Sequence, residues 1–258
     1  MTDSQILTAL QEDTYKVLHL YNGKKLNPGI RFCLGLMDKM YRINEGLRPL
    51  IERYKNSSDY EYSICILLRS LLLDLMISSN CYIVLNNELN ASGDIDKIKE
   101  KVTEFSKIIL SDGIKKSLDY LGDLVKHNLK TEEEANIVRE GFMNEFKDDI
   151  IEGNDAKNFF FAPRKLFDNI MADKYFQHLN SIYDNYLLFS KFDHFNTFHF
   201  KATRNEEYQI RLRIDNAVRL LPFHAYLITK ILIALDEDCF AQLKELKNSF
   251  GKLMVPQN

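Results

Sequence analysis

Three groups of residues have types and spacings that could do chemistry. The first is Arg69, Ser70 and Asp74, set inside Ile64 to Leu85, a stretch that is otherwise almost uniformly apolar. A charge in a helix without a polar face must meet a partner or water, or its burial is strongly unfavourable. Arg69 and Asp74 are five residues apart and diverge by about 140° on a straight helix, so each must look to a different neighbour. Ser70 and Asp74, at i and i+4, share a face. The second group is Ser190-Lys191-Phe192-Asp193-His194, ending a segment that carries Tyr183 and Tyr186. On a continued helix Ser190 and His194 face the same way, as a nucleophile and its base would, or as a helix end closed by His194. The third is Arg219 and His224, in RLLPFH. An Arg that stabilises phosphate charge and a His that moves a proton are the parts a metal-independent nuclease needs.

The elements that must position these residues are helices. Only 10 Gly and 5 Pro punctuate 258 residues that are 45% hydrophobic, which favours long helices over strands joined by tight turns. A first helix is expected from Gln5 to Leu20. A second begins at Asn27-Pro28, with Asn as N-cap and Pro at the first helical position, and Gly46 and Pro49 are expected to kink or restart it. Ser58 and Glu61 form a capping-box pattern before the third helix, which ends near Asn90 to Gly93. A fourth covers Asp94 to His127, with an interruption expected at Ser111-Asp112-Gly113. Thr131 and Glu134 open a fifth, to about Ile151. Glu152 to Arg164 reads as a loop whose Phe159, Phe160 and Phe161 pack back as a lid or join an interface. A sixth helix is expected from Leu166 to Ser190, an irregular stretch from Phe195 to Thr203, then a long helix from about Asn205 beyond Leu235 with a kink at Pro222. A short helix over Asp238 to Leu253 closes the chain. The expectation is one all-α domain over residues 1–258, a bundle of seven to nine helices around the buried helix Ile64 to Leu85, with Arg69 buried.

Arg69, Ser70 and Leu71-Leu72 followed by the acidic Asp74, and later a Tyr-rich helix with Tyr186, Ser190 and His194, resemble a group of uncharacterised bacterial all-α proteins. Those are distantly similar to HEPN-type helical domains. The resemblance spans the middle two-thirds of the chain and departs from the group's pattern in having Asp, one place later, where Glu is usual. It implies a helical bundle with a polar site near Arg69 and His194. HEPN ribonucleases carry an Arg followed four to six residues later by His, a spacing that Arg219 and His224 match, although Leu220 replaces the polar residue that normally follows the Arg.

Composition narrows the partners. Net charge is −3, so the overall field gives no general attraction to nucleic acid or an anionic membrane. Nucleic acid is possible but not favoured, through a local basic segment at Lys201, Arg204, Arg211 and Arg213. Locally the charge is uneven. Thr14 to Lys55 holds nine Lys/Arg against three Asp/Glu, and Thr131 to Asp155 holds two against nine. These are two solvated helix faces or a complementary pair, between segments or between copies of the protein.

Cys33, Cys65, Cys81 and Cys239 lack CxxC spacing, and the first three sit among apolar helical residues as small core side chains. Asp193, His194 and His199 are the one tight group of plausible metal ligands, without the Glu-x-x-His pairs of a di-iron bundle. No Walker loop, dinucleotide fingerprint or zinc spacing is present, so kinases, dehydrogenases and zinc fingers are disfavoured and no cofactor or metal is expected. Arg69 and Asp74 at mid-segment make Ile64 to Leu85 poor for lipid, and Met1 to Tyr15 is not a signal peptide. A cytoplasmic protein is expected. Its leading function is a non-enzymatic interaction protein of a bacterial stress or defence module, working with a protein partner or by self-association. The alternative is a metal-independent HEPN-like ribonuclease or other hydrolase built on His194 or on Arg219 and His224.

Overall fold

The computed structural model describes residues 1–55, 57–147, 162–192 and 207–254. Its helices are α1 (Asp3–His19), α2 (Pro28–Tyr54), α3 (Glu61–Ala91), α4 (Ile95–Lys126), α5 (Glu132–Phe146), α6 (Pro163–Ala172), α7 (Ile182–Ser190), α8 (Glu207–Leu235) and α9 (Phe240–Leu253). Two 3₁₀ segments, Ser58–Tyr60 and Lys174–Leu179, join them. The fold is all-α, with no strand among the described residues.

Four helices, α1, α2, α4 and α5, start on a side-chain N-cap. Asn27 accepts from the Ile30 amide at 2.8 Å, ahead of Pro28 at the first helical position. Thr131 and Glu134 close a reciprocal capping box on α5. Past α3, Gly93 takes a positive φ of 63° and donates to the Leu89 carbonyl, ending the helix as the Asn90 to Gly93 signal implies.

Several boundaries differ from expectation. Ser58 and Glu61 do not cap α3: Ser58 opens a 3₁₀ turn, and the Glu61 carboxylate turns inward to accept from the Tyr54 hydroxyl at 3.3 Å. The helix α2 passes unbroken through Gly46 and Pro49, and α4 through Ser111 to Gly113, because packing along their length outweighs the local propensity penalty. The segment expected as one helix from Leu166 to Ser190 is three pieces. Asp173 ends α6, and its carboxylate accepts from the Tyr175 amide, which starts the 3₁₀ turn. The Phe159 to Phe161 loop and the Phe195 to Thr203 stretch lie outside the described residues.

At the centre, α3 is 31 residues long, about 46 Å at 1.5 Å per residue. It packs against α2, α4, α6, α7 and α8. Ile64, Leu68, Leu71, Leu72 and Leu75 are fully buried, as are Ile214, Val218, Leu221, Ile228 and Ile231 of α8. Both helices are long and apolar enough to cross a membrane by composition, and most of each lies inside the bundle. On the far side α9 and α1 pack on α8, and α1 on α2. Asn44, which breaks the apolar seam of α2, donates to the Leu7 carbonyl of α1 at 2.7 Å and so joins the two helices. All four cysteines are free and buried.

One part stands apart from this core. The first half of α4 contributes Ile98, Val102 and Phe105 to the main apolar cluster, whereas Ile114 and Leu121 of its second half and Ala135 of α5 are buried outside it. Ala135 is the one buried residue of α5. A 15-residue helix is marginal by itself, so the α4–α5 hairpin is the least supported element. Amide hydrogen exchange should separate the two regions: Leu71 to Leu75 exchanging with global unfolding, Glu132 to Phe146 by a local opening of much lower free energy. Equal protection in both would show that the hairpin is integral to the core.

Candidate functional site

The two motif regions meet at Arg69. Its Nε donates to Ser190 Oγ at 3.0 Å, and its guanidinium stacks over the Tyr186 ring at 5.6 Å from the centroid. Ser190 in turn donates its hydroxyl hydrogen to the Tyr186 carbonyl, one turn back in α7, at 2.7 Å. The geometry is possible because α7 lies along α3. Arg69 and Ser70 are half-buried, in contrast to the buried Arg69 expected from the sequence. The nine-residue α7 is too short to seal that side of a 31-residue helix, so the guanidinium stays at the rim.

This arrangement specifies what Ser190 can do. Its oxygen accepts from a cation and its proton is held by a helix carbonyl. An attacking hydroxyl needs that proton directed at a base, so the described contacts make Ser190 a bridge between α3 and α7. His194, the base proposed for it, lies outside the described residues, as do Asp193, His199, Lys201 and Arg204. Among the described residues no group of three His, Cys, Asp or Glu could hold a metal ion.

Asp74 does not join Arg69. It points away, as the five-residue spacing requires, and meets Lys39 of α2, whose Nζ donates to Oδ1 at 2.9 Å and lies 2.8 Å from Oδ2. A single pocket of Arg69, Asp74 and Ser190 is therefore not what forms. Asp74 is almost fully buried, and its pKa is raised because loss of solvation outweighs the lowering by Lys39. Lys39 was missed in the sequence because it sits among the solvated charges of α2. The signal was that a carboxylate in an apolar helix demands a cation from another helix.

Arg219 and His224 also diverge. The Arg219 side chain is 62% exposed and its Nε lies 3.8 Å from Asp3 of α1. His224 is fully buried, and neither ring nitrogen has a hydrogen-bond partner among the described residues. Burial first, and then the nearby charge of Lys39, push its pKa down to about 3. His224 is enclosed in the bundle while Arg219 faces solvent, so the fold does not bring the two side chains to one surface. Pro222 lies inside α8 but does not turn the two side chains together. Of the basic segment, Arg213 is half-buried and donates to Asn185 at 3.0 Å, and the exposed Arg211 lies over the Tyr54 ring, so each already has a partner in the fold.

A further polar cluster escaped the sequence reading. Lys230 of α8 donates to the Tyr82 hydroxyl of α3, and its ammonium lies 4.4, 5.3 and 5.7 Å from the ring centroids of Tyr82, Tyr175 and Tyr226. This cation–π box pins the 3₁₀ segment to both long helices. The 148-residue separation of Lys230 and Tyr82 hides it from any local pattern.

Compared with known proteins, the chain matches no family model, no curated protein and no solved structure.

Two measurements test this electrostatic arrangement. Lys39→Met strands a buried carboxylate and should destabilise by about 3 kcal/mol. In the folded state the Asp74 pKa is raised, so ionising Asp74 opposes folding at neutral pH; Asp74→Asn should cost far less or stabilise. Denaturant melts that rank the two variants the other way would refute the assignment. For His224 the folded pKa lies below the unfolded value of 6.5. Its contribution to stability is complete above pH about 6.5 and is lost as pH falls toward 3, by up to about 1.4 kcal/mol per unit. His224→Leu should flatten the stability profile in that window, and an unchanged slope would show that other groups cause the acid lability.

Proposed function

We propose that this chain is a cytoplasmic, non-enzymatic interaction protein of a bacterial stress or defence module, and that its contact surface is the α4–α5 hairpin. The carrying observation is that α5 buries one residue of its 15. A helix draws most of its stability from packing one face, and α5 has little packing of its own. Around it Tyr120, Leu129, Ile137 and Met143 are exposed, Leu129 at 72% and Ile137 at 67%. Apolar side chains this exposed, spread over the end of α4, the turn and α5, fit a partner surface better than a solvated one.

The surrounding charge indicates what would cover it. Glu132, Glu133, Glu140 and Glu145 of α5 are exposed beside these side chains, so the partner should be basic with an apolar face. Within one chain α2 already touches α5 at one point, where Arg31 donates to the Glu145 main-chain carbonyl at 3.1 Å and lies over the Phe146 ring. The far end of α2 leaves Arg48, Arg53 and Lys55 exposed. A second copy offering that end is the partner proposed. The bound Ser190 hydroxyl and the sealed His224 favour this reading over a hydrolase.

The test is light scattering at low and high salt, with a ribonuclease assay alongside. A dimer should form at low salt and weaken as screening shortens from about 30 Å at 0.01 M to about 3 Å at 1 M, and Ile137→Glu should weaken it roughly tenfold or more. A monomer at both salts, or a dimer indifferent to Ile137→Glu, would overturn the hairpin as the self-contact. RNA cleavage that is lost in His194→Ala would overturn the non-enzymatic reading.

A further inference from the structure

A trough opens between α3, α4 and α6. Both α4 and α6 pack against α3, but they stand on either side of one α3 stripe, Asn80, Ile83, Val84 and Asn87, without closing over it. The resulting cavity is about 540 Å³, within the range of small-molecule sites. Its floor is apolar, from Ile83 and Val84 of α3 and Phe105 and Ile108 of α4. The wall made by α6 is fixed from below: Asn80 Nδ2 donates to the Leu166 carbonyl at 3.0 Å, and Asn169 Nδ2 donates to Asn80 Oδ1 at 3.0 Å. These two amide bonds tie α6 to α3 and so set that wall of the trough.

Its charges are unequal. On the α4 wall Lys101 is paired with Glu104 at 2.9 Å and the two cancel. On the α6 wall Lys165 lines the cavity and has no ion pair among the described residues. One uncompensated cation beside an apolar floor suits a ligand with one negative head and an unbranched apolar tail. We infer that the trough between α3, α4 and α6 binds a medium-chain alkyl carboxylate, its head at Lys165 and its tail along Ile83, Val84, Phe105 and Ile108. The inference is independent of the hairpin surface.

Titration calorimetry of the full chain with octanoate, decanoate and dodecanoate tests it. Each methylene that enters the apolar floor should tighten binding roughly fourfold, levelling once the chain outgrows the cavity. Ala172 is exposed and lines the rim, so Ala172→Trp should fill the trough and abolish binding with the circular dichroism and melting temperature unchanged. Lys165→Glu should weaken decanoate by about fivefold or more and leave decanol unaffected. Absence of binding, affinity indifferent to chain length, or binding that survives Ala172→Trp would overturn the assignment. Equal losses of decanoate and decanol in Lys165→Glu would overturn the placement of the head.

Discussion

The constraint on which the rest of this structure depends is that α3 buries most of its apolar window, which leaves little solvent face for the polar residues set within it. Five of its polar side chains are satisfied by neighbouring elements, and together they help to fix where those elements lie. Glu61 takes the Tyr54 hydroxyl of α2, Arg69 bridges to α7, Asp74 takes Lys39 of α2, Asn80 binds the Leu166 carbonyl of α6, and Tyr82 takes Lys230 of α8. Helical geometry orders them. Arg69 and Asn80 lie about 20° apart around the axis, and Asp74 about 140° from Arg69. That is why α6 and α7 are neighbours on one side while α2 lies on another. Apolar packing supplies the bulk of the stability and is indifferent to register, whereas an unpaired buried amide or carboxylate is strongly penalised. A one-residue slip of α3 would break these pairs together.

Much of this was legible in the sequence, for a physical reason. Helix class, the central helix, the caps at Asn27 and Thr131 and the stop at Gly93 depend on residues within a turn of each other, where the backbone rules act. The meeting of Arg69 with Ser190 was legible too, because a cation in an apolar helix and a polar helix end each demanded a neighbour. What failed was of two kinds. Ser58 and Glu61 match a cap by spacing, but burial beside Tyr54 offered Glu61 a better partner. The one-turn breaks around Asp173 depend on how α6 and α7 each seat on α3, which no local period records. Lys39 and Lys230 were invisible because a lysine on an amphipathic helix reads as solvated until its partner's position is known.

The same logic explains why the chemistry suggested by motif does not assemble at Arg219 and His224. In RLLPFH the two functional types are five residues apart on one helix, and a straight helix sends one outward when the other faces in. Leu221 to Ala225 are buried without a break, so α8 is enclosed on all sides at His224. The imidazole stays neutral there because a charged ring would have neither solvent nor a hydrogen-bond acceptor, and because Lys39 already places a positive charge nearby. A spacing motif carries a site only when the intervening backbone can bring both side chains to one surface, and Pro222 does not do so.

Once the polar residues of α3 are satisfied, the fold's unspent capacity lies at its edges. Among the described residues, the hairpin of α4 with α5 and the trough beside Ile83 and Val84 both keep apolar surface that the bundle does not cover. They differ in kind. The hairpin is acidic, and α5 buries only Ala135, so its own packing is slight. The trough is concave and rigid, with one cation at its edge, so it can take a small ligand without rearrangement. Both use α4, whose first half belongs to the core and whose second half does not. Any coupling between the two surfaces would therefore run along one continuous helix, through Phe105 and Ile108 at the trough to Ile114 and Leu121 beneath the hairpin, over about four and a half turns.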